Sequence, residues 1–146
     1  MLPAEVKVGF VFRYSYLWHR ERLEGREEGV KDRPCLVLAF VIDDADGTKR
    51  VRVLPITHSP PDSASMAIEL PAPVKSRLGL DDIPSWIILS ESNYFAWPGP
   101  DIRPSETESG YLGPLPPSLF NEVKHRFVAL ARQSRIDRSP EQNNTY

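Results

Sequence analysis

Apolar and polar positions alternate through the first part of the chain with the period of β-structure. From Val6 to Trp18 (VKVGFVFRYSYLW) β-branched and aromatic side chains dominate, and Val8, Phe10, Phe12, Tyr14 and Tyr16 share one parity, which predicts a first strand. His19 to Arg33 breaks the pattern: five basic and five acidic residues, two glycines and no apolar period predict a long, mobile, charged loop. Pro34 then opens the near-continuous apolar run Cys35 to Ile42, suited to a fully buried strand. Asp46-Gly47 follows as a hairpin signal, because glycine tolerates the positive φ of such turns. The return strand, Lys49 to Ile56, should point Arg50 and Arg52 outward and Val51 and Val53 inward.

Beyond a Pro- and Ser-rich loop, Met66 to Leu70 reads as a short strand, Val74 to Leu80 as one or two helical turns, and Trp86 to Leu89 as a buried strand. Ser90 to Gly110 should be mostly loop, with Tyr94 to Trp97 pairing as a short edge strand. One amphipathic helix closes the pattern: Ser118 offers a cap after Pro116 and Pro117, and Leu119, Phe120, Val123, Phe127, Leu130 and Ala131 recur on one face. Several short strands, one terminal helix and no βαβ rhythm predict a mainly β chain, a small closed barrel with a C-terminal α-helix packed on it. The barrel domain should span 1–136, and the polar residues 137–146 should form a flexible tail.

Composition narrows the class. A chain of 146 residues suits one domain whose core needs no metal or disulfide, and 15 prolines, about twice the ~5% average, disfavour long helices over most of it. The first ten residues lack a signal-peptide pattern and no apolar run reaches the ~18 residues of a membrane span, so a cytoplasmic protein without membrane contact is expected. The single cysteine, Cys35, has no internal partner and apolar neighbours, the setting of a buried reduced thiol. A net charge of −2 excludes bulk electrostatic coating of nucleic acid, so any RNA site must be a local patch. One source is the C-terminal segment, where Lys124, Arg126, Arg132, Arg135 and Arg138 outnumber Glu122 and Asp137, although a solvated helix face is the plainer reading.

No Gly-rich phosphate loop, HExxH, CxxC pair, GxSxG elbow or EF-hand pattern occurs, and the three scattered histidines make no metal site by spacing. An enzyme built from this chain would work with side chains alone, without a cofactor. RNA cleavage suits such a site: the 2′-hydroxyl already lies beside the phosphate, so a base, an acid and a charge stabiliser suffice. Lys31-Asp32-Arg33-Pro34 enters one of the two best strands and Pro55-Ile56-Thr57-His58 leaves its hairpin partner. The start of one hairpin strand lies beside the end of the other, so Arg33 and Thr57/His58 should meet at one rim of the barrel.

A first strand opening with Gly9, a charged loop, Arg33-Pro34 leading RPCLVL, a hairpin, a strand ending Pro55-Ile56-Thr57, and Gly113-x-Leu115 before an amphipathic helix together resemble the MazF/PemK toxins. The resemblance spans roughly Val6 to Gln133 and is sharpest at the Arg-Pro and Pro-Ile-Thr elements. It implies an SH3-like barrel of the CcdB/MazF/Kid type, working as a homodimer. The implied activity is sequence-specific, metal-independent endoribonuclease cleavage of single-stranded RNA through a 2′,3′-cyclic phosphate, which inhibits growth. A cognate antitoxin of a type II toxin-antitoxin system would cover the RNA groove with an extended tail, and DNA would be met only indirectly through that antitoxin. Arg33 matches the family's arginine, Thr57 its threonine, and Glu28 an acidic residue that contributes in some members. The longer first loop and the Trp- and Pro-rich segment Trp86 to Arg103 depart from the family pattern.

On this reading Arg33 stabilises the phosphoryl oxygens, Thr57 hydrogen-bonds the scissile phosphate, and His58 or Glu28 takes the proton, an unperturbed imidazole near ~6.5 being a suitable base. Lys31, Ser59, Trp18, His19, Asn93 and Trp97 are candidate RNA contacts, the exposed aromatics by stacking on unpaired bases. The ordinary alternatives are a surface ion pair of Arg33 with Asp32 or Glu28, a loop-capping hydroxyl at Thr57, a partly buried loop histidine at His58, and core packing for the aromatics. Two rival functions remain: a gyrase poison of the same fold, which should not need Arg33, and an inactive interaction module.

Overall fold

The structure, a computed structural model, describes residues 1–20 and 32–136. Glu28, Lys31, most of the expected charged loop and the expected tail lie outside the described residues. The chain is mainly β. Its elements are β1 (Phe10–Ser15), β2 (Asp32–Ile42), β3 (Lys49–Thr57), β4 (Ala67–Glu69), α1 (Ala72–Arg77), β5 (Trp86–Ile88), β6 (Asn93–Trp97), β7 (Ile102–Arg103), β8 (Tyr111–Pro114) and α2 (Pro117–Ile136).

The first half of the apolar run in β2, Cys35–Leu38, has a direct cause: this stretch is central and covered on both faces, the condition under which strand sequences lose their alternation. It pairs antiparallel with β1 on one edge and β3 on the other. Val11, Leu36 and Leu54 enter a cluster closed by Ile68, Leu70, Val74 and Ile87 and by Val123 and Phe127 of α2. Their neighbours Phe12, Cys35, Val37, Val51 and Val53 enter a second, aromatic cluster with Tyr14, Tyr16, Trp97 and Tyr111. Arg50 and Arg52 face away from that cluster, as the alternation in β3 predicts. Gly47, at φ 71°, turns the β2–β3 hairpin, with its N–H donating to Asp43 O at 2.8 Å.

The eight strands follow the order β4-β5-β3-β2-β1-β7, with β6 also on β3 and β8 also on β1. Each of the two branch strands changes partner along its length. Lys49–Val53 pairs with β6 while Ile56 and Thr57 pair with β5, and Phe10–Phe12 pairs with β8 while Arg13 and Tyr14 pair with β7. This curls the sheet into a barrel-like form. It is not closed, against expectation: among the described residues no ladder joins β4 to β7.

Other local expectations are corrected. The first strand is shorter than Val6 to Trp18, because Gly9 at φ 86° turns the chain into β1. Ala39–Ile42 is exposed although apolar: past a register shift between Val37 and Ala39, β1 has ended and β3 is the neighbour that remains. Pro117, free of a helical N–H requirement, opens α2, so Ser118 lies inside the first turn and is not its cap. The segment expected as loop contains β7, and β8 forms across Gly113. Cys35 is fully buried, and burial pushes its thiol pKa up, away from nucleophilic use.

Trp97 is 8% exposed and stacks on Tyr111 at 6.5 Å between ring centroids, with Phe12 edge-on at 5.7 Å, so it is a core residue and does not reach RNA. Trp97→Ala should lower stability by about 3–5 kcal/mol, the range for emptying a buried aromatic site, measured as the loss in urea unfolding free energy.

Candidate functional site

The site follows from strand register. Cys35 of β2 lies opposite Pro55 of β3 at the end of that ladder, so Arg33 and Thr57, each two residues beyond it, stand at the same end of the sheet. On its other edge Arg33 faces Tyr14 of β1. Two adjoining concavities open at this end of the sheet, of about 370 and 480 Å³. Arg33, Thr57 and Ser59 line both, so they form the shared wall of one continuous groove. The first half adds Arg13, His58 and Asp81; the second adds Trp18, His19, Pro60 and Glu91.

Among the described residues Arg33 rests on an aromatic ring and makes no ion pair with a carboxylate. Its guanidinium carbon lies 4.9 Å from the Trp18 ring centroid, and Trp18 stands edge-on to Tyr16 at 5.1 Å. Of the alternative ion pairs, that with Glu28 lies outside the described residues and that with Asp32 does not form; Asp32 Oδ1 instead meets Arg103 Nε at 3.3 Å. Among the described residues the buried Arg33 Nε has no hydrogen-bond partner, and no described ion pair occupies the guanidinium, which lines both halves of the groove. Thr57 does cap its own loop, since Ser59 N–H donates to Thr57 Oγ1 at 3.2 Å. That bond uses an acceptor lone pair, and the threonine O–H remains available as a donor.

His58 is half-exposed and bound to a carboxylate from the loop after α1. Its Nε2 lies 2.9 Å from Asp81 Oδ2. Lys75, only 5% exposed at its side chain, donates to Asp81 Oδ1 at 3.1 Å and also to Ile83 O. The Lys75 ammonium holds the Asp81 carboxyl below its ordinary value; desolvation opposes this, and hydrogen bonds from His58 and the Ile83 amide add to the lowering. Both carboxylates of this half of the groove are thus neutralised by cations, Asp32 by Arg103 and Asp81 by Lys75. Arg13 and Arg33 make no ion pair among the described residues, so the local surplus is positive in a chain of net charge −2. An anionic phosphate suits that surplus.

In the other half, Glu91 is sunk behind the wall. The Tyr16 hydroxyl and the His19 backbone N–H each donate to its Oε1 at 3.2 Å. Burial raises its pKa; the His19 and Tyr16 hydrogen bonds oppose the rise without cancelling it.

The structure therefore brings together Arg33, Thr57, His58, Ser59, Trp18 and His19 on one groove. It takes Asn93 as well as Trp97 away from the groove and so out of the candidate RNA contacts. Asn93 is 8% exposed, and its amide binds both backbone groups of Leu17, accepting from the N–H at 2.9 Å and donating to the carbonyl at 2.8 Å. That clamp orders the chain after β1 and so sets Trp18 under Arg33. In the basic helix, Arg126 ties α2 to the Ala64 and Ala67 carbonyls and to Glu122, a packing role.

Sequence reading missed Arg13, Lys75, Asp81 and Glu91. Arg13 carried a signal, a lone cation interrupting an apolar strand; Asp81 carried none, being 23 positions from His58. Among the described residues no group of three His, Cys, Asp or Glu side chains could hold a metal ion, and no helix is long and apolar enough to cross a membrane.

The raised pKa of Glu91 sets a sign for stability. Below the ordinary carboxylate range the folded and unfolded chains both carry the proton; as pH rises past that range the unfolded chain ionises more readily, and stability is lost. Glu91→Gln keeps an acceptor for Tyr16 and His19 without the buried charge. It should melt above the unaltered protein at about pH 7, with the difference vanishing at about pH 3; equal melting temperatures at both would show that the buried charge costs nothing. No protein-family model matches the chain and no curated protein matches it in sequence, so the functional reading rests on the groove itself.

Proposed function

We propose that this protein is an endoribonuclease that cuts single-stranded RNA without a metal, in the manner of the MazF/PemK toxins that its strand-end motifs resemble. One observation carries the reading: Arg33 and Thr57, from neighbouring strand ends, share the wall of one groove, and in the half that also holds His58 both carboxylates, Asp32 and Asp81, are already paired with cations. A phosphodiester laid across that wall meets the guanidinium of Arg33 and the hydroxyl of Thr57 together. Arg33 stabilises charge building on the phosphoryl oxygens, Thr57 donates a hydrogen bond to one of them, and His58 lies beside the pair to take the proton of the 2′-hydroxyl. The 2′-oxygen bonds to phosphorus, the bond to the 5′-oxygen breaks, and a 2′,3′-cyclic phosphate results.

In this reading the protein acts in the cytoplasm as a homodimeric growth inhibitor, restrained by an antitoxin whose acidic tail covers the positive groove. A gyrase poison of the same fold would leave the paired arrangement at Arg33 without a purpose.

Purified protein should cut an unstructured RNA in excess EDTA, leaving cyclic phosphate ends. Arg33→Ala should slow cleavage at least ~100-fold, the scale of losing an oriented charge stabiliser. Arg33→Lys should recover little, because an ammonium neither stacks flat on Trp18 nor offers a planar fork. Rates measured under single turnover decide this, and full activity in Arg33→Ala removes the mechanism.

A further inference from the structure

The proton acceptor can be narrowed to one atom. His58 Nε2 lies 2.9 and 3.1 Å from the two carboxylate oxygens of Asp81. An ionised carboxylate accepts hydrogen bonds and donates none. Asp81 is kept in that form by two donors besides His58: the nearly buried Lys75 ammonium and the Ile83 N–H, each 3.1 Å from Oδ1. The imidazole must therefore place its hydrogen on Nε2, and the lone pair of the neutral ring falls to Nδ1. The charged groups that share its side of the groove are Asp81 from the loop after α1, Arg13 from β1, and Asp32 and Arg33 from β2.

We propose that Asp81, clamped by Lys75 and the Ile83 amide, is a positioning residue that fixes His58 as the Nε2–H tautomer and presents Nδ1 as the general base toward the 2′-hydroxyl. This rests on the ribonuclease reading above. In the step, Nδ1 takes the 2′-hydroxyl proton as the 2′-oxygen bonds to phosphorus. The 5′-oxygen departs and takes a proton from water, and the imidazolium later returns its own proton to solvent. Lys75 supplies no proton; it holds the carboxylate that holds the ring.

The arrangement separates orientation from chemistry. Asp81→Asn is nearly isosteric and leaves an oxygen for Lys75, but its amide can turn an N–H toward the ring, which then favours Nε2 as acceptor and moves the hydrogen to Nδ1. Loss of the correct tautomer removes the base while the ring stays in place.

Histidine-labelled full-length protein, followed by ¹⁵N NMR at a pH where the ring is neutral, should show His58 as the Nε2–H tautomer, and Asp81→Asn should shift it to Nδ1–H. The same substitution should slow cleavage of an unstructured RNA by about 100-fold, within the range for an acid–base group, and His58→Gln by at least as much. His58→Gln leaves Lys75 and Asp81 paired, so it tests the base without exposing the buried ammonium to loss of its partner. An Nδ1–H tautomer in the unaltered protein, or unchanged rates in both variants, overturns the proposal. If the unaltered protein cuts no RNA, the ribonuclease reading fails and the base role with it, while the tautomer still reports whether Asp81 orients the ring.

Discussion

The placement of β2 constrains everything else in this molecule. Its stretch Cys35–Leu38 is buried on both faces, between β1 and β3, so Leu36 and its neighbours Cys35 and Val37 pack into different cores. A slip of one residue against either neighbour would exchange the two faces, driving aliphatic residues into the aromatic cluster and the reverse. Register is therefore held tightly, and the strand's first residues inherit that precision although they lie at the exposed rim. Arg33 faces Tyr14 on one side and shares the groove wall with Thr57 on the other because the core two residues further on permits no other alignment.

The second feature is how charge is distributed at that rim. A chain of net charge −2 has no general attraction for polyanions, so the positive surplus at this rim is a local feature. Asp32 and Asp81 are each paired with a cation, while Arg33 lies against an indole. An aromatic face orients a guanidinium without competing for its N–H donors, whereas a carboxylate would consume them. The Asn93 clamp on Leu17 extends this support, since it fixes the chain immediately before Trp18. Residues with no reach to a phosphate thus set the position of the one best suited to bind it.

The strand and helix pattern was largely legible because it is written in local periodicity. The β2–β3 hairpin, the short strand WII, the edge strand NYFAW and the amphipathic helix all lie where alternation and turn signals place them. Errors arose where composition was read without neighbours. Ala39–Ile42 is as apolar as the buried half of β2, yet β1 does not extend far enough to flank it. Trp97 precedes a Pro-Gly-Pro loop and looked available for stacking, but the curl of the sheet brings it onto Tyr111. Asn93 looked like a polar reader and proved to be a backbone clamp.

By itself the sequence determined that the chain is mainly β with a C-terminal helix, and that Arg33 and Thr57 stand at neighbouring strand ends, because period and hairpin chemistry act over a few residues. Tertiary structure alone decided which carboxylates are neutralised, that Trp18 carries the guanidinium, that Asp81 meets His58, and that the sheet curls without closing. Apart from the contact of Lys75 with Asp81, six positions away, those outcomes depend on contacts between separate elements, for which local pattern carries no signal: a charge written in the chain does not say which opposite charge the fold will bring to it.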